Sequence, residues 1–149
     1  MEMVRRFTML ALPMLIAAAP ASQRWKPDAA SIAAFRAGDM AKARAALEVE
    51  RARCEAEARG GDSCLDLLTA LAEVARQAGD DVLAERWARR ALAVAEAHLT
   101  EAHPDRSMIL LSLGNAISGQ GRWADSEPFY RRAVGLREAA LPPGDPMIA

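Results

Sequence analysis

The sequence predicts an all-α fold, an α-solenoid of antiparallel helical hairpins with two well-formed repeats behind a degenerate N-terminal hairpin. Three observations predict it. The first is an ungapped internal match at an offset of 42 positions. It sets Gly79 on Gly121, Leu68 on Leu110, Leu71 on Leu113, Glu85 on Glu127 and Arg89-Arg90-Ala91 on Arg131-Arg132-Ala133. It continues through Glu96-Ala97 on Glu138-Ala139, Leu99 on Leu141 and Pro104 on Pro146, with Trp87 facing Phe129, Leu92 facing Val134 and Val94 facing Leu136. Chance matching in an alanine-rich chain scatters Ala and Arg identities; it does not also align a glycine, a proline and an aromatic. Self-similarity at a fixed period is the mark of a repeat array. The second observation is helical periodicity. Leu110, Leu113 and Ile117 recur three and four apart, with small Gly114 and Ala116 where a second backbone is expected to come close. Gly121 interrupts, and Ser126, Phe129, Tyr130, Ala133 and Leu136 then form a second stripe, with Arg131, Arg132 and Arg137 turned to water. The third is composition. The 149 residues are 52% hydrophobic, 26% charged and 5% aromatic, the size and balance of one globular domain or a short repeat array. Ala and Arg dominate, and both are strong helix formers.

Residues 1–21 read as a secretory signal peptide and are excluded from the fold. Arg5 and Arg6 form a positive head, Phe7 to Ala19 an apolar run of 13, and Ala19-Pro20-Ala21 a small-residue cleavage site. An uncleaved anchor is the alternative, but so short a run does not span roughly 30 Å of hydrocarbon as a helix. A periplasmic or secreted protein with no stable membrane span after cleavage is therefore expected.

Residues 22–61 form the degenerate hairpin, an N-terminal cap. Asp28 is placed to cap a short helix, Ala29 to Ala37, whose large apolar residues are Ile32 and Phe35. Gly38-Asp39 ends it, and a longer helix follows from about Met40 to Arg59. Glu50 falls where the later copies have Ala91 and Ala133, and Gly38 sits 41 rather than 42 before Gly79. Terminal repeats are atypical because the outermost hairpin has a neighbour on one side only. Residues 62–103 form the first good repeat. Ser63 with Asp66 makes a variant capping box, and the helix Cys64 to Ala78 buries Leu67, Leu68, Leu71 and Ala75. Gly79-Asp80 then turns the chain into the helix of Trp87 and Ala91. Residues 104–141 form the second repeat, with Pro104 suited to a first helical position and Asp105 to the helix dipole. Residues 142–149 read as the start of a further repeat.

At Leu113-Gly114-Asn115-Ala116, Gln120-Gly121, and Tyr130 with Ala133, the chain resembles the tetratricopeptide repeat (TPR) family. The longer period, the Ser126-Glu127-Pro128-Phe129-Tyr130-Arg131-Arg132-Ala133 run and the His103-Pro104-Asp105 link are similar to the kinesin light chain type of repeat. The resemblance covers residues 62–146 well and 28–58 poorly, and Asp81 stands where Trp123 does in the later copy. It implies a non-catalytic scaffold for protein–protein interaction, with the first helix of each pair lining a concave face. By helical spacing from the packed leucines, the residues of those helices left for a partner are Thr69, Glu73, Arg76 and Gln77, then Leu111, Asn115 and Ser118. Asn115 leads this set, since its amide both donates to and accepts from a peptide backbone. The set holds no lysine, so a clamp on a C-terminal carboxylate is not evident and an internal peptide or a helix is expected.

Cys54 and Cys64 flank a Gly-Gly turn. In an exported chain an even cysteine count favours a disulfide, here joining the cap to the first repeat. Two buried thiols are the alternative, because Cys54 lies about 7 Å of helical rise before Arg59 and a bridge needs Cα atoms within about 7 Å. No metal site is expected, as no histidine lies near the pair. His98 and His103 have no nucleophile or carboxylate at a recognisable spacing, so no catalytic residues and no cofactor are expected. A net charge of -1 and a pI near 6.1 offer no long-range pull on nucleic acid, and Glu85 and Glu96 interleave with Arg86, Arg89 and Arg90. The resemblance therefore implies another protein or peptide as the partner; the alternative is a structural scaffold that stacks on copies of itself and has no groove ligand. A homo-oligomer through the C-terminal edge is also expected, where Phe129, Val134 and Leu136 read as lacking a following hairpin.

Overall fold

Positive-φ glycines set the period of the chain. The computed structural model describes residues 25–57 and 64–140, and among these it holds six helices and no strand. The leader, the Arg59–Ser63 turn with Ser63 of the capping box, and the 142–149 tail lie outside the described residues. Gly38, Gly79 and Gly121 adopt φ of 74°, 79° and 77°, a conformation that glycine enters without a Cβ penalty. At each, the same two backbone bonds close the preceding helix. Gly38 and Asp39 donate to Phe35 and Ala34, Gly79 and Asp80 to Arg76 and Ala75, and Gly121 and Arg122 to Ser118 and Ile117. The N-terminal hairpin therefore makes the same turn as the two later ones.

The helices between these turns begin where side chains satisfy free N–H groups. Helix α1 is Ala29–Arg36, and the Asp28 carboxylate accepts the Ser31 N–H at 2.7 Å. Helix α2 is Met40–Glu57, with the Lys42 N–H on Asp39 at 3.0 Å. Helix α3 is Leu65–Gln77, and α4 is Asp81–His98, with the Leu83 N–H on Asp80 at 3.0 Å. Helix α5 is Pro104–Gly119, opened by Pro104 and by His103 Nδ1, which accepts the Asp105 N–H at 3.3 Å. Helix α6 is Trp123–Ala140. Arg122 stands there where Asp39 and Asp80 cap the earlier second helices, and it pairs instead with Asp125 and with Glu85, each at 2.9 Å.

The first helices α1, α3 and α5 form one layer and the second helices α2, α4 and α6 the other. Large side chains come from the first layer, since Leu67, Leu71, Ile109, Leu110, Leu113 and Ile117 are the fully buried ones. The second layer meets them with alanine. Ala84, Ala88, Ala91 and Ala95 are each about 1% exposed or less, which lets α4 sit close under both α3 and α5. Glu50 breaks this series in α2. It is buried, and its Oε2 accepts the Trp25 indole N–H at 2.6 Å, which ties the extended Trp25–Asp28 segment to the second layer.

Successive second helices are also joined in register. Arg90 of α4 pairs with Glu55 of α2, and Arg132 of α6 pairs with Glu96 of α4 at 2.9 Å. The Arg51 guanidinium lies 5.5 Å over the Trp87 ring and that of Arg89 lies 5.8 Å over Phe129. Phe129 packs against the buried cluster of Ala72, Ala88, Leu113 and Ile117, and with Arg89 of α4 over its ring it meets the preceding hairpin as well as its own α5. This corrects the sequence expectation that set it on the C-terminal side with Val134. The periodic Trp87 and Phe129 are each the ring onto which the preceding second helix lays an arginine. Buried Arg106 closes the link between α4 and α5, donating from Nε to the Ala95 carbonyl at 3.4 Å and from Nη2 to that of Glu96 at 3.2 Å. In the last turn of α2, Cys54 is joined by a disulfide to Cys64, whose Cα lies 5.9 Å away at the N-cap of α3.

Candidate partner-binding site

Two features mark the exposed side of the first helices. The first is a hollow of about 240 Å³ between α1 and α3. Trp25, Ile32, Phe35, Ala70 and Val74 make most of its wall, with Arg36 and Glu73 among its polar residues. Its far wall depends on the Trp25–Glu50 bond and on the cap of α1. The Ser31 backbone N–H, helped by the Ser31 hydroxyl, holds the Asp28 carboxyl below its ordinary range, so the cap is ionised at neutral pH. A hollow of this size is smaller than a drug-sized ligand site, roughly 300–1,000 Å³, and suits a single apolar side chain.

Glu73 connects the hollow to the residues singled out from sequence. Its carboxylate receives Arg76 through Nε at 3.0 Å and Nη2 at 2.7 Å, and Gln77 Nε2 at 2.7 Å. The Arg76 hydrogen bond is the main reason that the Glu73 carboxyl titrates below its ordinary value, and the same bond raises Arg76. Thr69 turns its hydroxyl back to the Asp66 carbonyl at 2.8 Å. The polar residues of α3 are thus held by their own helix, and their positions are set before any partner arrives.

The second feature is on α5. Leu111 is half-buried, and Asn115 is exposed. Asn115 Oδ1 accepts the Tyr130 hydroxyl at 2.8 Å, and Ser118 Oγ lies 3.1 Å from the same hydroxyl while donating to the Asn115 carbonyl at 3.1 Å. The carbonyl half of the Asn115 amide is therefore already engaged. The sequence set falls into two groups, one on α3 beside the hollow and one on α5 around Tyr130.

Sequence reasoning missed Trp25, Ile32 and Phe35, because they belong to the hairpin read as a cap. Ile32 and Phe35, the only large apolar residues of α1, were the available signal. Trp25 offered none, since its position depends on a buried Glu50 that periodicity marked only as an anomaly. His103 caps α5. Among the described residues, no cluster of three His, Cys, Asp or Glu side chains is placed to hold a metal ion, and no helix is long and apolar enough to cross a membrane.

A family model described as tetratricopeptide repeat matches residues 65–139, from the first residue of α3 to the last turn of α6. No curated protein matches the chain.

Proposed function

The chain belongs to the tetratricopeptide repeat family, and from that premise we propose that it is an exported, non-catalytic module that binds a peptide or helix of a partner protein along its first helices. The hollow between α1 and α3 carries this reading. It is an apolar recess beside a row of pre-positioned polar groups, the combination by which a scaffold anchors one side chain and aligns the backbone around it. On this reading Thr69, Glu73, Arg76 and Gln77 border the anchor, and Leu111, Asn115 and Ser118 extend the contact along α5. The Arg5-Arg6 head, the apolar run and the Ala19-Pro20-Ala21 site support export, and the Cys54–Cys64 bond fits an oxidising compartment such as the periplasm or cell exterior. The kinesin light chain-like wording of the repeats is a resemblance in sequence and carries no partner with it.

Filling the hollow is the direct test. Ala70→Trp occupies the recess from α3 while leaving the alanine faces of the second layer intact. It should abolish partner binding and keep the helical circular dichroism signal. Unchanged affinity in Ala70→Trp, with loss of binding on substitution of exposed Val82 on α4, would show that the second helices carry the partner instead. Self-association is the competing reading, favoured by Trp123 at 70% and Val134 at 49% exposure on α6. Light scattering across a concentration series separates the two.

A further inference from the structure

Both junctions between hairpins carry a staple at the same two positions of the repeat, and only one of the two staples is reducible. Glu96 and Arg106 stand 42 residues after Cys54 and Cys64. At the later junction Arg106 donates from Nη2 to the Glu96 carbonyl at 3.2 Å, tying the end of α4 to the start of α5. At the earlier one the Cys54–Cys64 disulfide ties the end of α2 to the start of α3. Little else holds the first hairpin. The large side chains that are fully buried, Leu67, Leu71, Ile109, Leu110, Leu113 and Ile117, all come from α3 and α5. The first hairpin meets Leu67 and Leu71 with Ala34, Ala43 and Leu47, and its ion pair from Glu55 to Arg90 is open to solvent, which screens it. The closed junction also carries a polar cost. Among the described residues, Glu50 Oε1 and Trp87 Nε1 are buried without a hydrogen-bond partner. Trp87 packs on this junction's apolar cluster, as does Trp25, which the other Glu50 oxygen holds. Undocking hydrates both unpaired atoms and so offsets part of the contact it loses.

We propose that the Cys54–Cys64 bond is a redox switch that makes and unmakes the hollow between α1 and α3. The walls of the hollow lie on either side of the stapled junction, with Trp25, Ile32 and Phe35 on the first hairpin and Ala70 and Val74 on α3. The reductant is a dithiol. Its first thiolate attacks Sγ of Cys54, which is half-buried where Cys64 is buried, and Cys64 leaves as a thiolate and takes up a proton. The second thiol of the reductant attacks the mixed disulfide and releases Cys54 as a thiol. Two electrons and two protons thus reach the protein, and the reductant departs as its own disulfide. With the staple cut, the junction keeps small apolar contacts, screened charges and two unpaired buried atoms, and the first hairpin moves off α3. The later junction keeps its Arg106 bond, which no reductant touches, so α3 to α6 stay docked. The switch acts on the two walls and operates whether or not a partner sits between them.

The tryptophans report the switch in the full chain, since Trp25 and Trp87 lie at the first junction and Trp123 opens α6. With fluorotryptophan incorporated and fluorine NMR as the readout, dithiothreitol should shift the Trp25 and Trp87 resonances and leave Trp123 in place. Reoxidation should return them. Cys54→Ser with Cys64→Ser should show the shifted pair without reductant. Cys54→Glu with Cys64→Arg writes the later staple into the first junction, and should hold Trp25 and Trp87 at their oxidised positions in dithiothreitol. The proposal is overturned if Trp25 and Trp87 stay in place once alkylation and mass spectrometry show both thiols free, or if the serine variant keeps the oxidised positions, since the bond would then be a passive brace. It is also overturned if Trp123 moves with them as the helical circular dichroism falls, since the bond would then hold the whole array. A folded Cys54→Glu, Cys64→Arg variant that reads like the serine variant overturns the equivalence of the two staples, and the switch with it.

Discussion

Gly114 and Tyr130 are in contact because one residue lacks what the other supplies: the ring fills the volume that any Cβ at 114 would claim, 2.8 Å from Cε1. Gly114→Ala should therefore destabilise the chain by about 1–3 kcal/mol, the usual cost of overpacking a close contact. Urea unfolding measures it, and the same substitution in a Tyr130→Ala background should cost much less. Equal costs in the two backgrounds would mean that the ring yields freely.

The hairpin repeat was legible because it rests on identities that survive a fixed offset, with glycine, arginine and aromatic aligned together. Gly114 was legible only as a small residue facing a close neighbour. That the neighbour is an aromatic ring rather than a backbone depends on Tyr130 replacing Ala88, a change of volume that periodicity scores as apolar in both copies. The hollow was illegible for a related reason. Trp25 is held by Glu50, and a buried carboxylate in an alanine register looks like decay of the repeat until the indole that it accepts from is in place. Phe129 was put on the wrong side because a helical stripe assigns a face toward the core and not which of two neighbouring hairpins supplies it.

Arg106 is buried and donates to two carbonyls at the end of α4. Arg106→Met keeps much of the apolar stem and removes the donors, leaving those carbonyls without a side-chain partner. A loss of about 1–3 kcal/mol is expected in denaturant melts. Amide exchange should accelerate near Ala95 and Glu96 before it does so in α3.

The acid limb of stability should report Glu73 and Glu85. Both titrate below their ordinary value of 4.5 in the folded chain. For Glu73 the Arg76 hydrogen bond leads; for Glu85 burial pushes the other way, and donation from Gln120 and Arg89 with the charge of Arg122 overcomes it. A carboxylate with a lowered folded value contributes stability that is fully present above 4.5 and is lost as pH falls through the folded value. Glu85→Gln should therefore lower the melting temperature at pH 7 and shrink the difference from the parent as pH drops below about 4. Glu73→Gln should do the same more weakly, because its side chain is 42% exposed and solvent screens the pair. A difference that stays constant down to pH 2.5 would rule out both ion pairs as contributors.

Reduction should act on the first hairpin. The Cys54–Cys64 bond closes a short loop of sequence separation 10, for which the chain-entropy estimate is about 2–3 kcal/mol. A thiol reductant should lower the melting temperature by several degrees, and Cys54→Ser with Cys64→Ser should reproduce the shift. Amide exchange in α1 and α2 should rise while α5 and α6 hold theirs. A uniform rise across all six helices would mean that the bond stabilises the array as one cooperative unit.

Phe129→Glu tests which way the aromatic of the last hairpin points. If the ring served an open C-terminal edge, a carboxylate there would raise solubility and leave stability almost unchanged. Packed instead against Ala72, Ala88, Leu113 and Ile117, the substitution replaces an apolar contact with a charge at the junction of two hairpins. The Arg89 guanidinium, 5.8 Å from the ring centroid, offsets part of that cost by offering an ion pair. The net loss should be about 1–3 kcal/mol, below the 3–5 kcal/mol typical of truncating a fully buried Phe. Phe129→Leu should cost less than Phe129→Glu, since it keeps the apolar contact and loses only the ring face under Arg89. Both are read from the midpoint of urea unfolding, and a Phe129→Glu protein as stable as the parent would return the ring to the outer face.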